Sequence, residues 1–447
     1  MAEERRSGDQ GISRRDFVKR AGVGAGGLIV SGAAASPIWA RPKVWDASNT
    51  LKIGYISPLT GPAAGFGEGD RWILAQARKA LKKGLTIHGK HYQVQVINKD
   101  GQSSPTRAAQ VANELIHSDK VDILLATSTP EQTNPAADAA EAAGVPNIAT
   151  VVPWESWYFG RGAKPGKPSP FRYGFIFCFG THEFYEAYIH LWPQVKTNKK
   201  VGVMWPNDAD GNAIRENLGP LLEKHGYKIV DPGGYQDGTN DYSSQIAKFK
   251  SAGVQIFNTF PIPPDFVTFW RQAKQQGLTR QVHIAQIAKT GLFPSQVQAV
   301  GKLGPGLASA AYWTPHFPYK SSLTGMSSKQ IGDGYTKATG RQWNQQLGSS
   351  AALLDVGGAA LKASSDPKDP EAVAKAMLHL KVETPNGILH WGAGGARNPF
   401  PNVVATPIIG GQWVRAAKGK FPLDFVLCEH STDPHVPIQA RLKPYSG

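Results

Sequence analysis

From Leu51 onward the chain repeats strand, helix, strand at a regular interval, and that beat limits its fold more than any other feature. LKIGYI alternates and is β-branched, and the glycine-rich SPLTGPAAGFGEGD turns the chain into the helical DRWILAQARKALKKG. YQVQVIN, SPTRAAQVANELIHSD, VDILLAT, PAADAAEAAG and VPNIATV continue the series as strand, helix, strand, helix, strand. Strands separated by helices of this length run parallel, with helices covering both faces of the sheet. After a proline- and aromatic-rich interval the beat resumes with KKVGVMW, NAIRENLGPLLEKHG, YKIV, DYSSQIAKFKSAG, VQIFNTF, PPDFVTFWRQAKQQG and VHIAQI. The expected fold is α/β, with two Rossmann-like lobes. FRYGFIF is expected to cross toward the second lobe and AAYWTP to cross back, which gives lobes of 51–175 plus 312–390 and 176–311 plus 391–447. Lobes joined by several short crossings can close on a ligand by rigid rotation.

The first 40 residues read as an address. Gly22, Gly24 and Gly27 spell the dinucleotide fingerprint G-x-G-x-x-G, with Asp46 downstream, but no strand leads into them and the fingerprint works only between a strand and a helix. What precedes them is Ser13-Arg14-Arg15-Asp16-Phe17-Val18-Lys19, followed by a mildly apolar run to Ala35. That order predicts a twin-arginine signal peptide over 1–40, cut after Ala40, and hence a periplasmic protein. The apolar run is too short and glycine-rich for a stable membrane anchor.

About 407 residues remain, more than one core usually serves. Residues 1–40 carry six basic and four acidic side chains, so the remainder keeps +13 of the formal +15. Its lysines and arginines are scattered and no basic block or RNP-like motif occurs, so no nucleic-acid partner is expected. Twin-arginine export raises the alternative of an enzyme exported with its cofactor. The chain has only Cys178 and Cys428, in no C-x-x-C pair, too few for an iron–sulfur cluster or a covalent c-type haem, and no cofactor is expected. An oxidising compartment permits a disulfide between the two, and the sequence leaves open whether they meet.

Several motifs, in order, resemble one family. LKIGYISPLTGPAAGFGEG, INKDGQSSPTRAAQVANELI, LLATSTPEQTNPAADAAEAAGVPNIAT, SAGVQIFNTFPIPPDFVTFWRQAKQQGL and VETPNGILHW are similar to the Leu/Ile/Val-binding family, the solute-binding proteins of branched-chain amino acid ABC importers, over roughly residues 51–445. The resemblance implies a type I periplasmic-binding fold, a monomer whose two lobes are joined by a multi-strand hinge. It implies a small-molecule solute, an amino acid or related carboxylate, held in the cleft; a permease partner in the inner membrane; and no catalysis. By the family's pattern Ser128 would bind the solute's carboxylate, Ala149 and Thr150 would complete the pocket, Phe66 would cover the ligand, and Asp265 would pair with an ammonium group. Asp210 stands where the family commonly has tyrosine, a departure from branched-chain specificity.

Physical reasoning about open α/β sheets points to the same place, since ligands lie beyond the carboxyl ends of the strands where helix N-termini point. Ser128 and Thr129 sit there, although Thr129 with Gln132 also reads as a plain capping box. Trp154, followed by Trp157, Tyr158 and Phe159, comes directly after a pocket strand, and Trp205 ends a strand of the other lobe. Such aromatics form either stacking walls for a flat solute, an aromatic acid among them, or ordinary packing. GLTIHGKH has P-loop spacing but lacks the Ser/Thr and a preceding strand, and is read as a turn. His182, Glu183 and Glu186, and Cys428, Glu429, His430 and His435, match no zinc spacing, so no metal site is expected. A ligand-sensing partner of a membrane receptor is the remaining alternative.

Overall fold

The structure, a computed structural model, describes residues 49–447. The expected signal peptide at 1–40 lies outside the described residues. In chain order the strands are β1 (Thr50–Ser57), β2 (Leu85–Ile87), β3 (Lys90–Asp100), β4 (Ile123–Thr127), β5 (Asn147–Thr150), β6 (Gly174–Phe177), β7 (Lys200–Met204) and β8 (Lys228–Val230). They continue as β9 (Ile256–Thr259), β10 (Ile284–Ile287), β11 (Ala308–Ala311), β12 (Lys381–Thr384), β13 (Gly387–His390), β14 (Val403–Val404), β15 (Ile409–Arg415) and β16 (Leu423–Leu427).

They build two seven-stranded sheets, ordered β14-β6-β5-β4-β1-β3-β2 and β16-β15-β11-β10-β9-β7-β8, as the α/β reading expects. The central pairs β1–β3, β1–β4, β4–β5, β7–β9 and β9–β10 are parallel. The apolar runs ILLAT, IFNT and IAQI are buried along their whole length because helices cover both faces. Helix starts follow local chemistry: Ser104 accepts from the Arg107 N–H ahead of Pro105, and Asp208 accepts from the Gly211 N–H at 2.6 Å.

Three sequence expectations change and one open question is answered. GLTIHGKH is more than a turn, since Leu85–Ile87 pairs antiparallel with the start of β3. FRYGFIF does not leave the first lobe, because Gly174–Phe177 pairs with β5 as a strand of the first sheet. The tail is divided as well: Val403–Val404 pairs in parallel with β6, whereas β15 and β16 extend the second sheet, so the segment 391–447 is not one piece of the second lobe. Short β14 carries almost no strand signal, and its place is fixed by the neighbour that satisfies its backbone. Cys178 and Cys428, last, follow β6 and β16 respectively, and both are buried and free.

The chain therefore passes between the sheets after β6, after β11 and after β14. These crossings are tied together. Cys178 donates its N–H to Val404 O at 3.0 Å and accepts from Thr406 N–H at 3.2 Å, and Phe179 stacks on Tyr312 at 5.4 Å. Glu155, from the short helix Trp154–Tyr158, reaches over the first crossing: one carboxylate oxygen accepts from both the N–H (2.8 Å) and the hydroxyl (2.6 Å) of Thr181. Thr181 opens the helix Thr181–Leu191 that leads into the second sheet. At the second crossing Gly348 lies against Trp313, where any Cβ would overlap the indole ring, so only glycine lets the helix Gln346–Ala363 approach. Among the described residues no helix is long and apolar enough to cross a membrane.

Candidate functional site

At the carboxyl ends of both sheets a cavity opens between the lobes, with about 480 Å³ of space that includes solvent at its mouth. The first lobe contributes Phe66, Thr129, Val151, Pro153 and Phe179. Facing them stand Phe184, Asp210, Phe260, Ala288, Lys289 and Leu292, with Ala310, Tyr312 and Ile408 at the later crossings.

Most of this wall is aromatic or aliphatic. Phe179 meets Phe184 edge-on at 5.1 Å, Phe184 meets Phe260 at 5.0 Å, and Phe66 meets Phe293 behind it at 4.9 Å. Edge-to-face contacts of this kind fix the rings and leave flat apolar surface toward a ligand. On the first-lobe side the backbone is strained: Ser128, Thr129 and Val151 have φ of 74°, 64° and 59°, in the left-handed region that non-glycine residues avoid. The strain aligns the ends of β4 and β5, since the N–H groups of Ser128 and Thr129 donate to the carbonyls of Thr150 and Val151, each at 3.2 Å.

The polar end belongs to the second lobe. Lys289, after β10, lies 2.9 Å from one oxygen of Asp210 and 3.6 Å from Asp208. Burial pushes the Asp210 carboxyl above its ordinary range; Lys289 opposes that push, and Asp208 and Glu131 add to it. Burial also works against the Lys289 ammonium, but the carboxylates of Asp210, Asp208 and Glu131 outweigh it and hold its pKa above the usual lysine value. Behind the wall a buried polar chain runs into the first lobe. Tyr312 donates to Gln346 (3.3 Å), Gln346 to Thr127 (2.9 Å) and Ser350 (3.2 Å), and Ser350 to Asp70 (2.7 Å).

Of the residues the sequence singles out, Phe66 and Asp210 meet on this wall. Ser128 sits one residue behind wall residue Thr129, with its hydroxyl 3.1 Å from that of Thr127. Thr129 makes no side-chain cap, so the capping box with Gln132 does not form. Ala149 lies in the core within β5, and Thr150 spends its hydroxyl on Phe177 O at 2.8 Å. Trp154 packs on Phe159 and Phe400, each at 5.8 Å, and Trp205 is buried with its indole N–H on Asn258 at 2.8 Å. Asp265 accepts from the Gly238 N–H at 2.9 Å and is not among the residues that line the cavity. Lys289 and the phenylalanines at 179, 184 and 260 escaped sequence reasoning. The available signal was position: Phe179, Phe260 and Lys289 follow the carboxyl end of a parallel strand by one or two residues, and Phe184 lies in the first turn of the next helix.

The family profile of periplasmic binding proteins matches residues 50–404. This chain belongs to the periplasmic binding protein family. Among curated relatives of this periplasmic binding protein, the leucine-, isoleucine-, valine-, threonine- and alanine-binding protein of Pseudomonas aeruginosa is 27% identical over 240 residues, 52% of this chain and 59% of that protein. The chain thus spans about three fifths of that relative's length. Leu/Ile/Val-binding protein homolog 3 of Brucella melitensis is 22% identical over 366 residues, 77% of this chain and 88% of that protein. Solved structures share the fold. A solute-binding protein of an ABC transporter from Rhodopseudomonas palustris, in complex with 3,4-dihydroxybenzoic acid, superposes with a TM-score of 0.67 at 20% identity, covering 87% of this chain and 99% of that one. A branched-chain amino acid transporter substrate-binding protein from Streptococcus pneumoniae, in complex with isoleucine, does so with a TM-score of 0.64 at 18% identity, covering 85% and 99%.

Proposed function

We propose that this periplasmic binding protein is the solute receptor of an ABC importer. It is exported by its twin-arginine signal, acts in the periplasm as a monomer, captures one small molecule by hinge closure and hands it to an inner-membrane permease without catalysing a reaction. The observation that carries this reading is the cavity walled by both lobes at the carboxyl ends of their parallel strands. Closure is driven only by contacts that exist in the closed state, and a wall shared between lobes supplies them. The names of the Pseudomonas and Brucella relatives support an amino acid or related small carboxylate as solute. A second reading, a flat aromatic solute, is favoured by the ring surface of Phe66, Phe179, Phe184, Phe260 and Tyr312.

A thermal-shift screen of amino acids, aromatic acids, amides and amines tests the proposal. A solute held only by the folded state at a hundred times its Kd adds about 2.7 kcal/mol, a shift of several degrees. One chemical class is expected to give that shift at millimolar concentration. A uniform melting temperature across all four classes counts against a receptor for small solutes.

A further inference from the structure

We infer that the polar end of the cavity takes a cationic amino group, and that the solute is an aromatic or arylalkyl amine without a carboxylate. The inference rests on the receptor reading and replaces the carboxylate-bearing solute that the family resemblance implies.

The first observation is an unanswered acceptor. Asp210 is 2% exposed and lines the cavity; its Oδ2 faces Lys289, but its Oδ1 is buried and, among the described residues, has no hydrogen-bond partner. A buried carboxylate oxygen without a donor is costly, and a ligand N–H in the cavity would supply the donor.

The second is charge. Lys289 is the one cationic side chain on the wall among the described residues, and it is already shared between Asp210 and Asp208. Glu131 acts on both Lys289 and Asp210 from the first turn of the helix Pro130–Ala143, and Asp237 is near enough to be influenced by Lys289, Asp208 and Glu131. One ammonium among the carboxylates of Asp208, Asp210, Glu131 and Asp237 leaves a negative potential, which attracts a cation and repels an acid. The rings of Phe66, Phe179, Phe184, Phe260 and Tyr312 line the same cavity, and aromatic rings attract a cation placed against them.

The third is that the first lobe has little grip for a carboxylate beyond the Thr129 hydroxyl and the Glu131 N–H, the latter beside its own carboxylate. The Ser128 and Thr129 N–H groups are bound to β5 carbonyls, Pro130 has no N–H, and Gln132 and Thr133 donate to Thr129 O at 3.1 Å. Glu131 itself provides the negative charge that this helix N-terminus favours.

Calorimetry with the mature protein and a matched series tests the inference: phenethylamine and benzylamine carry only the amine, phenylalanine both groups, and 3-phenylpropionate only the acid. An amine is expected to bind, phenylalanine more weakly, and 3-phenylpropionate at least 100-fold more weakly. Asp210→Asn should weaken amine binding at least 30-fold; the ranking on the unaltered protein stands even if that variant does not fold. Acid binding as tight as the amine's, phenylalanine tighter than phenethylamine, or no heat from either amine overturns the inference and leaves the receptor reading intact. Amine binding that survives filling of the cavity by Ala288→Trp overturns the receptor reading instead.

Discussion

Lys289→Met is expected to lower the unfolding free energy by about 3 kcal/mol, because it strips the counter-ion from a carboxylate that stays buried. Asp210 is 2% exposed, and its ion-pair partner is the Lys289 ammonium at 2.9 Å. A buried pair broken on one side leaves the full desolvation penalty of the survivor, whereas removing both partners does not. Lys289→Met with Asp210→Leu should therefore recover most of the loss. Urea denaturation of the three proteins measures both effects, and a single variant within about 0.5 kcal/mol of the parent would mean that Asp210 is solvated or protonated. Part of the loss should vanish at pH 5, where Asp210, with its raised pKa, takes up a proton and needs no counter-ion.

The second large effect is a decline of stability as pH rises. Burial lifts Asp70 from 3.8 to about 6, Glu155 from 4.5 to about 7 and Asp355 from 3.8 to about 7. Each folded carboxyl binds its proton more tightly than the unfolded chain does. The resulting stabilisation is complete below the unfolded pKa values and is lost as pH climbs through 6 to 7. With each pKa unit worth about 1.4 kcal/mol, the three groups together lower stability by on the order of 5 kcal/mol between pH 5 and 8. Asp100 and Asp241 have lowered pKa values, the first through the Thr60, Gln102 and Leu59 hydrogen bonds against the pull of burial, the second through Ser243. Their contribution is present above the unfolded aspartate value and is lost only in stronger acid, outside this window. Denaturation midpoints at pH 5, 6.5 and 8 are expected to fall in that order, and Asp70→Asn should flatten the trend. A midpoint that is level or rises with pH contradicts the assignment. Glu155 links the decline to the hinge, since it accepts from Thr181 across the first crossing.

The lobes were readable because the parallel strands are periodic and buried on both faces, and LKIGYI, VDILLAT and VQIFNTF needed no tertiary information. The lobe boundaries were less so. Whether Gly174–Phe177 stays in the first sheet depends on its β5 neighbour, and β14 is two residues long. The site was legible as a place more than as a set of side chains. Phe66 and Asp210 reach the wall, yet Trp205, at the end of β7, turns into the core because Asn258 on the adjacent strand supplies an acceptor for its indole N–H. Trp154 likewise finds Phe400, some 250 residues away in sequence. Lys289 was invisible for the opposite reason: a single lysine after a strand carries no pattern, and its role comes from Asp208 and Asp210, which begin a different helix.

Filling the interlobe cavity tests the central claim most directly. Ala288 lies on its wall and is 7% exposed, and tryptophan there would occupy the space a solute needs. Calorimetric titration of Ala288→Trp with the solute that most stabilises the unaltered protein should show affinity reduced at least 100-fold, with cooperative unfolding retained. Unchanged affinity would place the solute outside the cavity and contradict the account.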